Sequence, residues 1–210
     1  MYFATEGVIL KKRNFGEADR LLTIFTRDHG KITAIAKGAR RPRSKKAGHI
    51  ELGNWCKLFV ARGKNIDLVT EAETKRAFGI ANFTEERANR IYHLLEIVEN
   101  LTASHQKNLE VFILLVQFLK RIEKDEQFSL LSCVFKIKLL SSLGFFTSHY
   151  LKNPKVKYIL ATFEKDNFET IKGKIKLTQN SYSNILLFLD RLIEGLTQSK
   201  LTTSRFLNGI

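Results

Sequence analysis

Residues 20–39 read RLLTIFTRDHGKITAIAKGA, two apolar runs on either side of a turn signal. The first run, Arg20–Thr26, is rich in β-branched and aromatic residues, which favour a strand. Asp28–Lys31 follows, and Gly30 within it tolerates the positive φ that tight turns need. The second run, Lys31–Ala39, begins with alternating apolar and polar residues. The stretch therefore predicts two neighbouring strands.

Three more apolar runs of strand length lie in the first 78 residues. They are Gly7–Leu10, Trp55–Ala61 and Ile66–Thr74. Arg62–Asn65 contains a glycine and joins the last two runs as a hairpin. Five short strands in so short a segment predict a small closed or nearly closed barrel.

The hydrophobic period changes to that of a helix after residue 80. Asn82 and Glu85 have the spacing of an N-cap and its reciprocal partner. Gly144 is placed to end one of the helices, and a short C-terminal helix is expected at Phe206 and Leu207. The segments with apolar residues at helical spacing are 91–101, 108–124, 129–143 and 181–196.

Two short apolar runs, Tyr158–Phe163 and Lys174–Leu177, are predicted as strands. The sequence thus predicts an α+β chain. It predicts a five-stranded barrel domain at 1–79 and a mainly α-helical domain at 80–210. The helical domain is expected to include a small two-stranded element near 157–177.

The charge is concentrated in the barrel domain. The 210 residues carry a formal net charge of +14, and residues 1–78 contribute +9 of it. Such an excess favours a polyanionic partner, nucleic acid before an anionic membrane surface. Residues 37–46, KGARRPRSKK, hold five cations between Arg40 and Lys46. Pro42 and mutual repulsion predict an extended, solvated arm that follows a phosphate backbone without fixed geometry.

The cations expected to contact nucleic-acid phosphates lie in and around this arm. They are Arg13, Arg20, Lys31, Lys37, Arg40, Arg41, Arg43, Lys45 and Lys46. For Arg20 and Lys31, pairing with local carboxylates is the alternative. Phe15 lies in a turn and is a candidate for stacking on bases. Phe25 and Phe59 lie inside apolar runs and are predicted to be in the core.

The residues favour a protein without a catalytic site. Paired carboxylates such as Glu17 and Asp19 can hold Mg²⁺ for phosphodiester cleavage. Arg13 and Arg20 lie close in sequence, however, and favour ion pairs that order the turn. The five histidines have no ligand spacing, and the sequence contains no nucleotide-phosphate-binding loop.

The two cysteines, Cys56 and Cys133, are too few and too far apart for a disulfide framework or a CxxC zinc site. The first residues, MYFATEGVIL, lack the pattern of a signal peptide. The longest apolar run, which begins at Val111, is too short to span a bilayer. We therefore expect a cytoplasmic protein in a reducing compartment, with no membrane segment, metal or cofactor.

Several segments resemble the RecO recombination mediator family. The N-terminal ones are TEGVIL (Thr5–Leu10), GEADRLLTIFT (Gly16–Thr26) and GKITAIAKGARRPRS (Gly30–Ser44). Further along, the sequence FKIKLLSSLGF (Phe135–Phe145) is similar to the helix ahead of the family's cysteine-rich insert. KLTTSRFL (Lys200–Leu207) is similar to the family's C-terminal ending. The order and spacing of these segments make the resemblance specific.

The resemblance implies an OB-fold barrel followed by a helical domain. It implies binding to single- and double-stranded DNA, annealing of complementary strands, and help in loading RecA onto coated single strands. The implied protein partners are RecR and single-stranded-DNA-binding protein. Many family members carry a four-cysteine zinc site after the LLSSLGF-like helix, but Phe145–Lys157 contains no cysteine, so we expect no zinc here.

A partner peptide with an acidic, apolar tip would need a hydrophobic groove rimmed by cations. The helical domain offers such cations near apolar helices: Lys120, Arg121, Lys136, Lys138 and Arg205. Solvated helix faces are the alternative for each of them.

Two other functions stay open at this point. An OB-fold protein that binds structured RNA would have the same barrel and charge, and differs in its need for 2′-hydroxyl contacts. A metal-dependent nuclease would lose its activity with EDTA or without Glu17 or Asp19.

Overall fold

A computed structural model describes residues 1–78, 84–122, 124 and 127–203. The chain forms two compact units, one of residues 1–123 together with 201–210 and one of residues 124–200. None of the described helices has the length and apolar character needed to cross a membrane.

The first unit begins with a five-stranded closed barrel, which confirms the predicted OB-fold. Its strand order is β1-β2-β3-β5-β4, and every pairing is antiparallel except the parallel pairing of β3 with β5. The strands are β1 (Tyr2–Phe15), β2 (Asp19–Thr26), β3 (Gly30–Ala36), β4 (Trp55–Ala61) and β5 (Asp67–Arg76).

Two helices complete the described part of this unit, α1 (Glu85–Leu101) and α2 (Leu109–Ile122). The predicted N-cap of α1, Asn82, lies outside the described residues. Thr84 occupies the N-cap position, without a capping hydrogen bond from its side chain. Glu96 on α1 accepts hydrogen bonds from the backbone N–H groups of Thr202 and Thr203 at 2.8 and 3.0 Å, which fastens that late segment to the helix.

The barrel wall formed by β1, β2 and β3 is apolar on both faces. Ile24 points into the barrel core with its strand partners Ile9 and Ile32. Phe25 points outward with its partner Val8, and both are 0% exposed. Helix α1 packs against β1, so a buried apolar residue is favoured on the outer face as well. On β3 the alternation breaks down at Ile35, which is buried although its neighbours Ala34 and Ala36 belong to the barrel core.

The segment after α1 packs on the beginning of β3. Gly30 has a φ of +66°, and a Cβ on it would lie 2.1 Å from the carbonyl oxygen of Gln106. The His105 N–H donates to the Lys31 carbonyl at 2.9 Å. Gly30 is therefore required for a close approach of two backbones as well as for the predicted turn.

The second unit is helical throughout its regular structure. It contains α3 (Phe128–Ser142), a 3₁₀ turn (Ser148–Tyr150), α4 (Pro154–Lys165), α5 (Phe168–Lys174) and α6 (Gln179–Thr197). The predicted C-terminal helix at Phe206 and Leu207 lies outside the described residues.

The two-stranded element predicted near 157–177 is wrong. Asn153 accepts hydrogen bonds from the N–H groups of Lys155 and Val156, and Pro154 occupies the first turn, so α4 begins there. Asn167 caps α5 in the same way. A short apolar run cannot be assigned to helix or strand by its period alone. Tyr158–Phe163 lies within α4, whereas Lys174–Leu177 begins at the last residue of α5 and continues without regular structure.

Candidate nucleic-acid interface

Residues 37–53 form successive turns, and the extended arm predicted for 37–46 is wrong. Ala39 and Ile50 are buried in the barrel core, so the charged stretch is anchored near both of its ends. Inside it, the Arg41 N–H donates to the Gly38 carbonyl at 3.1 Å, and the Ser44 N–H donates to the Arg41 carbonyl at 2.9 Å. Mutual repulsion does not extend the segment because burial of its apolar anchors holds it on the barrel.

The turn between β1 and β2 is tied to this segment. The Asp19 carboxylate accepts a hydrogen bond from the Gly38 N–H at 2.7 Å. The Arg40 N–H donates to the Ala18 carbonyl at 2.8 Å, and its guanidinium donates to the Glu17 carbonyl at 3.0 Å. The two connections therefore form one surface at this end of the barrel.

Exposed cations line this surface, and we call them the basic rim. They are Arg13, Lys37, Arg40, Arg41, Arg43 and Lys45. Phe15 ends β1 beside them and is 46% exposed. It is the strand partner of Asp19, whose carboxylate holds Gly38. The structure thus brings six of the nine predicted cations together with the predicted stacking residue.

The other three predicted cations are placed differently. The Lys31 ammonium donates to the Glu99 carbonyl at the end of α1. Burial lowers the pKa of Lys31, although the nearby Glu99 carboxylate opposes that shift. Lys46 donates to the Val69 carbonyl at 3.2 Å, and burial lowers its pKa against the attraction of Asp19. Arg20 is half-buried at the barrel mouth.

Of the two carboxylates considered for metal binding, Asp19 has a partner in the structure. Asp19 is used by the Gly38 N–H, so it orders the turn as predicted but through a backbone group. Among the described residues, no group of three His, Cys, Asp or Glu side chains could hold a metal ion.

The cations predicted to bind a partner peptide are divided between the two units. The Lys120 ammonium lies 5.0 Å from the centroid of the Trp55 ring, over which Lys75 also lies at 4.5 Å. Arg121 is half-buried beside it in the first unit. Lys136 and Lys138 belong to the second unit. Arg205 lies outside the described residues.

The two lysines of α3 are engaged inside the second unit. Lys136 is 1% exposed and forms a salt bridge with Asp190 of α6. The Lys138 ammonium donates to the Glu164 carbonyl at 3.0 Å, and burial lowers its pKa. Their structural roles leave neither ammonium presented to a partner.

Two aromatic predictions have opposite outcomes. Phe25 is fully buried, as predicted. Phe59 is 38% exposed, so its predicted place in the core is wrong. Its neighbours Leu58 and Val60 point into the barrel, and Phe59 faces outward with the Lys57 ammonium 5.4 Å from its ring centroid.

The cysteines do not fit a four-thiolate zinc site. Cys56 is part of the barrel core and Cys133 is buried on α3. Burial raises the pKa of each thiol to about 12, whereas zinc binds the thiolate form. The connection from α3 to α4, where the family's insert would lie, contains no cysteine.

Comparisons with known proteins agree with the fold. The family model described as "Recombination protein O N terminal" matches residues 1–78, and "Recombination protein O C terminal" matches residues 89–148. Two models of one family, in the right order, cover the barrel and most of helices α1 to α3. The chain belongs to the RecO family.

Curated relatives of the RecO family share the name "DNA repair protein RecO". The Moorella thermoacetica protein is 37% identical over 143 residues, which cover 68% of this chain and 53% of the relative. The Acetivibrio thermocellus protein is 32% identical over 145 residues, covering 69% and 58%. The Alkaliphilus metalliredigens protein is 34% identical over 145 residues, covering 69% and 59%. The matched part of this chain therefore spans little more than half of each relative.

Proposed function

We propose that the chain is a non-catalytic DNA-binding mediator of recombinational repair, which binds single- and double-stranded DNA and promotes annealing of complementary strands. The observation that carries this proposal is the basic rim with Phe15 beside it, held on the barrel by Asp19 and Arg40. The names of the relatives support a role in DNA repair.

The chemistry of the rim suits phosphate contacts without sequence readout. Arg41, Arg43 and Lys45 are exposed on turns, so their side chains can reach several phosphates of one strand. Each neutralised phosphate releases counterions, which makes binding strong at low salt and weak at high salt. Phe15 adds a ring on which any base can stack. Contacts of this kind do not depend on sequence, as annealing of arbitrary strands requires.

Annealing needs no chemical catalysis. Two DNA strands repel each other through their phosphates, and a cationic surface that screens both of them raises the rate of encounter. Base pairing then stabilises the product. We further propose that the chain acts with RecR and single-stranded-DNA-binding protein to help RecA load onto coated strands, which extends the family's role to this chain.

The test is fluorescence anisotropy with single-stranded DNA, duplex DNA and matched RNA across a salt series. The rim variant changes Lys37, Arg41, Arg43 and Lys45 to alanine. It spares Arg40, which braces the β1–β2 turn. If four phosphate contacts are lost, the slope of log K against log salt for single strands becomes shallower by about 3.

The matched control changes Arg27, Lys57, Arg62 and Lys64 to alanine. It removes the same number of exposed arginines and lysines from elsewhere on the first unit. A control that keeps the wild-type salt slope, beside a rim variant that loses it, supports the proposal. Equal losses in both variants, or a preference of the wild type for RNA, would overturn it.

A further inference from the structure

The second unit carries its own basic and aromatic surface. Residues 145–176 contain seven lysines and three acidic residues. Three aromatic side chains in this segment are exposed, Phe145 at 45%, Tyr150 at 82% and Tyr158 at 58%. Large exposed rings among cations are the residue types that bind single-stranded nucleic acid.

Hydrogen bonds bring the parts of this surface together. The Lys157 ammonium donates to the His149 carbonyl at 2.9 Å, which places the 3₁₀ turn against the start of α4. Tyr150 follows His149, with their rings in edge contact at 5.4 Å, and Tyr158 follows Lys157. The two exposed tyrosines are therefore carried by neighbouring, mutually braced segments.

Two of the three acidic residues of the segment form hydrogen bonds inside the unit. The Glu164 carboxylate accepts hydrogen bonds from the Ser141 hydroxyl at 3.0 Å and from the Ser148 N–H at 3.1 Å. Asp166 accepts a hydrogen bond from the Lys174 ammonium at 2.8 Å. Lys152 and Lys155, by contrast, are exposed at the start of α4, and they give the surface its positive character.

We propose that Tyr150, Lys152, Lys155 and Tyr158 form a second binding surface for single-stranded nucleic acid, separate from the basic rim. We call it the tyrosine–lysine patch. Its rings stack on bases and its ammonium groups contact the adjoining phosphates. The proposal rests on the proposed function in that the strand is DNA. It goes further because one chain then holds two strands, which raises the effective concentration of each for the other.

The experiment measures how many single-stranded oligonucleotides one full chain binds. A labelled single-stranded oligonucleotide of about eight nucleotides, within the roughly 4–16 that one such surface covers, is titrated at low salt well above its dissociation constant. We expect saturation at two oligonucleotides per wild-type chain. The rim variant and a Lys152→Ala/Lys155→Ala variant should each saturate at one. The control, Lys64→Ala/Lys200→Ala, removes the same charge at exposed positions and should still saturate at two.

The tyrosines are tested in the background of the rim variant. Tyr150→Leu/Tyr158→Leu should weaken the remaining binding about tenfold or more, because stacking on each ring is lost. Tyr150→Phe/Tyr158→Phe keeps the rings and should restore the affinity. Circular dichroism of every variant checks that the helices are retained.

The outcomes separate this inference from the proposed function. Wild type that binds no DNA at all overturns both. Wild type that saturates at one oligonucleotide, with the Lys152→Ala/Lys155→Ala variant equal to the control, overturns the patch alone. The patch is also overturned if those two lysines affect only binding to anionic lipid vesicles or to an acidic peptide, measured in parallel.

Discussion

The basic rim and helix α3 both carry cations that the sequence assigns to binding, but the structure uses them in opposite ways. Lys37, Arg41 and Lys45 of the rim are exposed on turns. Lys136 of α3 is buried against Asp190, and Lys138 is turned to a backbone carbonyl. The sign of the charge is the same, so the difference must come from the surroundings.

The surroundings differ in their apolar content. All the rim cations except Arg13 stand among glycine, proline and serine in KGARRPRSKK, and within that segment only Ala39 belongs to the core cluster. Lys136 stands between Phe135 and Ile137, both of which are buried. A helix that is apolar on nearly every side is buried on nearly every side, so its lysine is buried with it. A buried ammonium then requires an acidic partner. Net charge therefore overstates the charge available for a ligand.

The largest predicted effect is on the Lys136–Asp190 pair. Asp190→Ala should lower the free energy of unfolding by about 3–5 kcal/mol, because it leaves a buried ammonium without this carboxylate. Lys136→Met should cost less, since it removes the charge and fills the same volume. Urea denaturation measures both. Lys120→Ala, at an exposed lysine of α2, is the control. If Asp190→Ala costs no more than Lys136→Met, the buried ammonium of Lys136 does not depend on the Asp190 carboxylate.

The next effect concerns how the rim is held. Asp19→Ala removes the acceptor of the Gly38 N–H and should cost about 1.5–3 kcal/mol, the range for hydrogen bonds to charged groups. DNA affinity should fall although the chain becomes more positive. Glu17→Ala removes an equal charge from the same turn at an exposed side chain, so its stability should stay within about 0.5 kcal/mol of wild type. If both variants bind DNA more tightly, charge alone governs binding and the arrangement of the rim does not matter.

The barrel could be predicted from the sequence because each strand has a local sequence signal. Apolar runs of strand length, separated by turn residues such as Gly30, locate all five strands. Helix α4 is not predicted because its apolar run, Tyr158–Phe163, is short and has an ambiguous period, and neither predicted strand covers 168–173, where most of α5 lies. The signals that would have found them, Asn153-Pro154 and Asn167 as caps, were present in the sequence.

The sequence predicts which residues form the candidate site, but it does not predict the backbone conformation of 37–53. The exposure of the cations and of Phe15 can be expected from their residue types and from the turn residues around them. The compact form of 37–53 depends on Ala39 and Ile50 fitting the barrel mouth, and no local pattern reveals a fit between distant residues. The same holds for Lys31 and Lys46, whose partners are backbone carbonyls of Glu99 and Val69. Such contacts depend on tertiary packing alone.

The smallest predicted effect on stability concerns an acidic residue, Glu164, which is held by hydrogen bonds as Lys136 and Lys138 are. Hydrogen bonds from Ser141 and Ser148 hold Glu164 in the second unit. Burial by itself would raise its pKa, but these hydrogen bonds outweigh it, so the pKa of Glu164 lies below its usual value. Its contribution to stability is therefore complete above the unfolded pKa of about 4.3 and is lost as the pH falls through the folded pKa.

Glu164→Gln should cost about 1 kcal/mol at neutral pH, because the amide keeps one acceptor oxygen and loses the charge. The difference from wild type should shrink as the pH falls below about 4, since the wild-type carboxylate is then protonated and resembles the amide. Urea denaturation at a series of pH values measures this. Glu71→Gln, at an exposed position on β5, should show no such trend. A Glu164→Gln cost that stays constant with pH would mean that packing, not the charged hydrogen bonds, holds the end of α4 against α3 and the 3₁₀ turn.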